Sequence, residues 1–117
     1  MISSIHLPWP DRRLHPNARV HWGEKARVTK RARLDAAWEA RISGVLPIPD
    51  APLVVTAIFF PPDNRARDVD GMLASIKPAL DGIADAIGVD DSRWSLALRR
   101  EKSCPPGAVH IQIEVAE

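Results

Sequence analysis

The chain has 117 residues, 45% of them hydrophobic and 26% charged, with 16 Lys and Arg set against 15 Asp and Glu. That composition excludes a disordered or fibrous chain, and the length suits one domain over residues 1–117 whose core needs no staples. The lone cysteine, Cys104 in the turn sequence "SCPPG", excludes an internal disulfide and a cysteine-built zinc centre.

At the start of the chain, "ISSIHLPW" alternates like an edge strand and stops at Pro8 and Pro10. No basic stretch followed by an apolar one opens the sequence, and no apolar run nears the roughly 20 residues of a membrane helix. A soluble, cytoplasmic protein with no membrane partner is the expectation. "PDRRLHPNARVHWGEKARV" is crowded with turn formers and basic residues and reads as a long loop. A helix is expected from about Thr29 to Ser43, with Ala32, Leu34, Ala36, Ala37, Trp38 and Ile42 on a largely alanine-lined face. Gly44 suits its stop, and Pro47, Pro49 and Pro52 exclude regular structure in the connection that follows. "LVVTAIFFPP" is nearly continuous in apolar residues, which predicts a strand buried on both faces and ended by Pro61-Pro62.

The second helix is expected from Asp68 or Val69 to about Ile87. Met72, Leu73, Ile76, Leu80, Ile83 and Ile87 recur at steps of three and four and mark the stripe that faces a core. Pro78 falls inside the pattern and should kink or split the helix, because it lacks an amide donor and crowds the preceding turn. "WSLALRREKS" and "AVHIQIEVAE" then alternate with period two around "CPPG", which predicts a C-terminal hairpin. The order β-α-β-α-β-β predicts an α/β (α+β) domain with two helices packed on a mixed sheet.

Charge is unevenly placed along this order. Asp11 to Arg33 holds eight Lys and Arg against two acids, and Asp63 to Asp91 holds seven acids against three basic residues. Within the acidic part, Asp68 and Asp70 stand where the second helix begins, and Asp90 and Asp91 follow its end at Gly88. At about 100° per residue, Asp70, Lys77 and Asp81 fall within roughly 40° of one another, opposite the apolar stripe. Two readings follow. In one, Asp68 caps the helix, Asp90-Asp91 form a turn and Lys77–Asp81 is a surface pair. In the other, three or four carboxylates with no histidine or thiol partner bind a hard cation, Mg2+ or Mn2+. A straight helix of nearly 20 residues is roughly 28 Å long, which favours a second, antiparallel copy as the source of the distant Asp91; a sharp break at Pro78 is the intrachain alternative.

"PPDNRARDVD", the helix after it, "GVDDS" and the early "LPWP" (Leu7 to Pro10) together resemble the RusA-type Holliday-junction resolvases, small endonucleases of bacteria and their prophages. The resemblance extends over nearly the whole chain. It implies a homodimer in the bacterial cytoplasm, at the nucleoid, that binds four-way DNA junctions and nicks two strands symmetrically with magnesium. Asp68 and Asp70 match the Asp-x-Asp pair, Asp91 the catalytic acid of the Asp-Asp pair, and Asp90 its neighbour. The family's lysine commonly lies four residues after the second acid; here that position is Ala74, and Lys77 lies seven after Asp70. Gly71 stands where asparagine is usual. The changed lysine position keeps open a non-catalytic DNA-binding or assembly protein on the same fold.

Basic residues complete the expectation. Arg65 and Arg67 would hold phosphates beside the acids, and Arg12, Arg13, Arg19, Lys25, Arg27, Lys30, Arg31 and Arg33 would grip the arms of a branched duplex without reading its sequence. Trp9 and Trp22 are placed to stack on exposed bases or to pack, whereas Trp38 and Trp94 are expected in the core.

Overall fold

Alternation along "LVVTAIFF" sets the centre of the fold. Leu53, Val55, Ala57 and Phe59 are each fully buried on one face of a strand. In the computed structural model, which describes residues 2–44 and 51–116, the elements are β1 (Ile2–Pro8), α1 (Trp22–Ile42), β2 (Leu53–Phe60), α2 (Val69–Ile87), β3 (Trp94–Arg100) and β4 (Ala108–Val115). The expected connection through Pro47 and Pro49 lies outside the described residues.

The four strands form one mixed sheet in the order β1-β4-β2-β3. β4 runs antiparallel to both β1 and β2, while β3 lies parallel to β2 on the edge. The expected C-terminal hairpin is therefore absent: β3 and β4 flank β2 on opposite sides. The reason lies in the chain between them. It crosses the end of β2, where the Glu101 amide donates to the Phe59 carbonyl and the Cys104 amide to that of Pro61. α2 returns the chain between the parallel β2 and β3, as a crossover must.

Both helices share one core with a single face of the sheet. Ile5 and Leu7 of β1, the alternate residues of β2, and Val109, Ile111 and Ile113 of β4 meet Met72, Ile76, Leu80, Ile83 and Ile87 of α2. β2 is thus fully covered on one face only; on the other, Val54, Thr56 and Phe60 are half-buried and Ile58 alone is buried. Pro78 does not split α2, which continues as one helix to the left-handed cap at Gly88. The carbonyl that Pro78 deprives of a donor belongs to Ala74, an exposed residue.

α1 begins seven residues earlier than expected. His21 caps it by accepting the Gly23 amide on Nδ1 (3.1 Å), a role more usual for Ser, Thr, Asp or Asn and so invisible to a search for those residues. Only its small residues Ala36, Ala37 and Ala40 are buried. They allow α1 to press against α2 at Gly82, where a Cβ would stand 2.0 Å from the Arg33 carbonyl oxygen. Leu34, Trp38 and Ile42 consequently face outward at 57%, 61% and 61% exposure, which corrects the expectation that Trp38 is a core residue. Trp94 is half-buried against the core, its indole N–H donating to the Val89 carbonyl (3.2 Å). Beyond the small residues, Arg33 of α1 forms a two-bond pair with Asp85 of α2, at 2.7 and 2.9 Å.

Candidate metal and nucleic-acid site

The approach to α2 is a turn built around Asp63. Its carboxylate accepts the Arg65 amide (3.0 Å) and guanidinium (3.1 and 3.2 Å) and pairs with Arg67 at 2.8 Å. The Arg65 hydrogen bonds, with Arg67 behind them, hold the Asp63 carboxyl well below the usual carboxylate range. Arg67 also donates to the carbonyls of Asp63 and Arg65 and lies 5.4 Å from the centre of the Trp9 ring. Its side chain is only 18% exposed. Arg67 therefore serves first as the fastener of this turn, whereas Arg65 remains open to solvent.

This turn delivers Asp68 to the N-cap of α2. Residues there normally accept a helix amide, yet the Asp68 side chain makes no cap hydrogen bond. Asp70, in the first helical turn, is likewise exposed. Unpaired helix amides favour negative charge at this end. Asp68 lines a cleft of about 470 Å³ together with Arg12, His15, Arg65, Arg67 and Gly71.

At the middle of α2, Lys77 donates to Asp81 (3.1 Å) and to Asp91. The bond with Asp91, before that with Asp81, raises the Lys77 pKa. Asp91 opens a short 3-10 turn, Asp91–Arg93, that follows the Gly88 cap. The chain thus folds back against α2, so that Asp91 meets a residue only seven positions past Asp70, roughly 10 Å along the helix axis. Asp91 is accordingly not stranded beside the far end of the helix, and no break at Pro78 is needed to bring it back. Asp90 behaves as the turn-former of the simpler reading: it accepts the Ser92 amide (3.1 Å), and hydrogen bonding with the Ser92 side chain, then with that amide, lowers its pKa. Among the described residues, no three His, Cys, Asp or Glu side chains converge as a metal-binding group. The sites at Asp68/Asp70 and at Lys77/Asp91 are neighbours on α2 and not one cluster.

The basic residues divide in the same way. Arg13 is held by Asp11 and Glu24, both at 2.8 Å, Arg31 by Asp35, and Arg33 by Asp85. Among the described residues, Arg12, Arg19, Lys25, Arg27 and Lys30 enter no ion pair. Arg12 and Arg19 line the loop beside His15, and Lys25 and Lys30 line a shallow cleft with Trp22, Pro78 and Asp81. Arg12 therefore shares a cleft with Asp68, and Lys25 and Lys30 share one with Asp81. Trp22 is 79% exposed, while Trp9 packs edge-on against Phe59 with ring centres 6.0 Å apart. Two features went unread in the sequence. Arg13 ties the loop to the first turn of α1 through Glu24, and His15 reaches the start of α2. The second had one sign, an otherwise unmotivated glycine at position 71.

No family model matches the chain. A protein of Xylella fastidiosa (strain Temecula1 / ATCC 700964), described as an uncharacterized protein, is 44% identical over 97 residues, or 80% of this chain. The matched region is 63% of that protein, so this chain spans less than two thirds of its relative's length.

Proposed function

We propose that the chain is a magnesium-dependent endodeoxyribonuclease that acts, as a homodimer, on four-way DNA junctions and resolves them by paired nicks in recombination and repair. One observation carries the reading. Asp68 stands at a helix N-cap with its carboxylate left uncapped, in a cleft shared with Arg12 and Arg65. The donor chemistry fits the ion: Asp68 and Asp70 offer carboxylate oxygens alone, as Mg2+ or Mn2+ prefers. Such an ion, when bound, would activate water and neutralise phosphate charge. Asp68 and Asp70 would hold it, with Asp91 near by on the Lys77 side of α2 and Asp90 turning the chain beside it.

The remaining work falls to this chain's side chains. Arg12 and Arg65 bind and orient the backbone on either side of the cleft, and Arg19, Lys25, Arg27 and Lys30 extend the grip along a duplex arm. Lys77 keeps Asp91 in place and carries positive charge toward the developing negative charge of the reaction. That the lysine seven residues after Asp70 meets Asp91, while Ala74 points to solvent, supports Lys77 as the operative one.

The same ion pair favours a second reading, a non-catalytic DNA-binding or assembly protein, since Asp91 is already neutralised by Lys77. Labelled four-way DNA incubated with the full chain and magnesium separates the two. Symmetric nicks are expected from the native chain, and none from Asp70→Asn, which keeps its affinity for the junction. Metal-dependent nicking by Asp70→Asn would refute the assignment; junction binding without nicks by the native chain would establish the second reading.

A further inference from the structure

Glycine at position 71 is unexplained by the backbone. It lies inside the first turns of α2 with ordinary negative φ, where glycine lowers helix propensity relative to alanine. What the position lacks is a Cβ, and the space that Cβ would fill belongs to His15. An added Cβ would stand 2.6 Å from His15 Nε2, 3.3 Å from Cδ2 and 3.5 Å from Cε1. The glycine is a seat for an imidazole.

The ring is held there from its other side. His15 ends the 3-10 turn Arg12–Leu14, and its Nδ1 accepts the Asn17 amide at 3.1 Å. The turn itself is fixed by Asp11, whose carboxylate accepts both the amide and the guanidinium of Arg13. With Nδ1 occupied as an acceptor, Nε2 is the nitrogen that carries the proton. The half-buried ring forms one wall of the cleft whose other residues include Arg12, Arg65 and Asp68. An imidazole donor next to two guanidinium groups and an acid suits a phosphodiester oxygen lying between them.

We infer that His15, seated on Gly71, is a substrate-binding residue that donates an Nε2–H hydrogen bond to the DNA backbone in the cleft at the α2 N-terminus. The inference rests on the reading of the chain as a nuclease for branched DNA. It adds a contact from the loop to the helix that bears Asp68 and Asp70. It also makes positions 15 and 71 a coupled pair: a side chain at 71 and the imidazole at 15 exclude each other.

The test is binding of a labelled four-way junction to the full chain in EDTA, where neither metal nor cleavage contributes. His15→Ala and Gly71→Ala are each expected to weaken binding roughly tenfold, the size of one hydrogen bond to a charged acceptor. The double variant should bind no worse than either single one. Thermal unfolding adds a readout independent of DNA: Gly71→Ala should lower the midpoint in the native background and raise it in the His15→Ala background. Native-like affinity in His15→Ala, beside good binding by the native chain, overturns the inference and leaves the nuclease reading standing. Additive losses in the double variant overturn the seating. No junction binding by the native chain defeats the nuclease reading and the inference with it.

Discussion

Gly82→Ala tests the fold at its closest internal approach. The new Cβ would meet the Arg33 carbonyl oxygen at 2.0 Å, its carbon at 2.9 Å and the Ala37 amide nitrogen at 3.1 Å. The first distance is about 1.4 Å short of ordinary contact, and every obstructing atom is backbone, so no side chain can rotate aside. The helices must separate, and separation loosens the small-residue contact of Ala36, Ala37 and Ala40. Overpacking of this kind costs typically about 1–3 kcal/mol and occasionally more, and the rigid obstruction points to the upper end or above. Alanine returns about 1 kcal/mol of helix propensity. A net loss of about 2–3 kcal/mol is expected. With an unfolding entropy of about 2.1 cal/mol/K per residue, that lowers the midpoint by roughly 8–12 °C. The assay is thermal unfolding followed by circular dichroism, with Ala74→Gly, on the exposed side of α2, as the control for propensity alone. A Gly82→Ala midpoint equal to or above that of the native chain would refute the close-approach argument.

Three further outcomes are expected. Lys77→Met should leave the thermal midpoint nearly unchanged, because an exposed ion pair contributes about 0–1 kcal/mol, yet reduce metal-dependent nicking by roughly a hundredfold; single-turnover rates equal to the native chain's would remove Lys77 from the mechanism. Arg19→Ala should weaken junction binding and lower the magnitude of its salt slope by about 0.9, one phosphate contact's share, as a titration in potassium chloride will read. Burial, then the neighbouring His6, pushes the His110 pKa down, so the unfolded chain binds the proton more readily. Its contribution to stability is therefore full above the unfolded value of about 6.5 and is lost as pH falls through the lower folded value. His110→Gln should flatten denaturant midpoints across that acidic range, and an unaltered pH profile would show that the histidine has no such effect.

The elements legible in the sequence were those with strong periodicity. The α2 stripe from Met72 to Ile87 is buried as its spacing requires, with Leu73 alone half-buried at its edge, and the two helices do lie on a mixed sheet. What failed depended on contacts between distant residues. Two alternating segments joined by a turn look alike whether they pair with each other or straddle a third strand; the choice is made by Phe59 and Pro61, which capture the connecting backbone. The start of α1 was hidden because a histidine caps it, and Trp38 was misplaced because a face of alanines can be the buried one. At the candidate site, the Lys77–Asp81 pair was readable from a four-residue step. The contact of Lys77 with Asp91 was not, since it depends on how the chain turns after Gly88. Arg67 read as a phosphate ligand from its position beside Asp68; only its bonds to Asp63 and its place over Trp9 reveal the structural duty.

The fastening of Asp63 by two arginines bears on the speed of encounter. A strand of the proposed DNA substrate would meet a corner whose conformational entropy was surrendered when the chain folded, leaving little ordering to delay docking. Hydrogen bonds from Arg65 and then Arg67 hold the carboxyl of Asp63 below the usual range, so the corner yields to acid later than an unpaired surface carboxylate would.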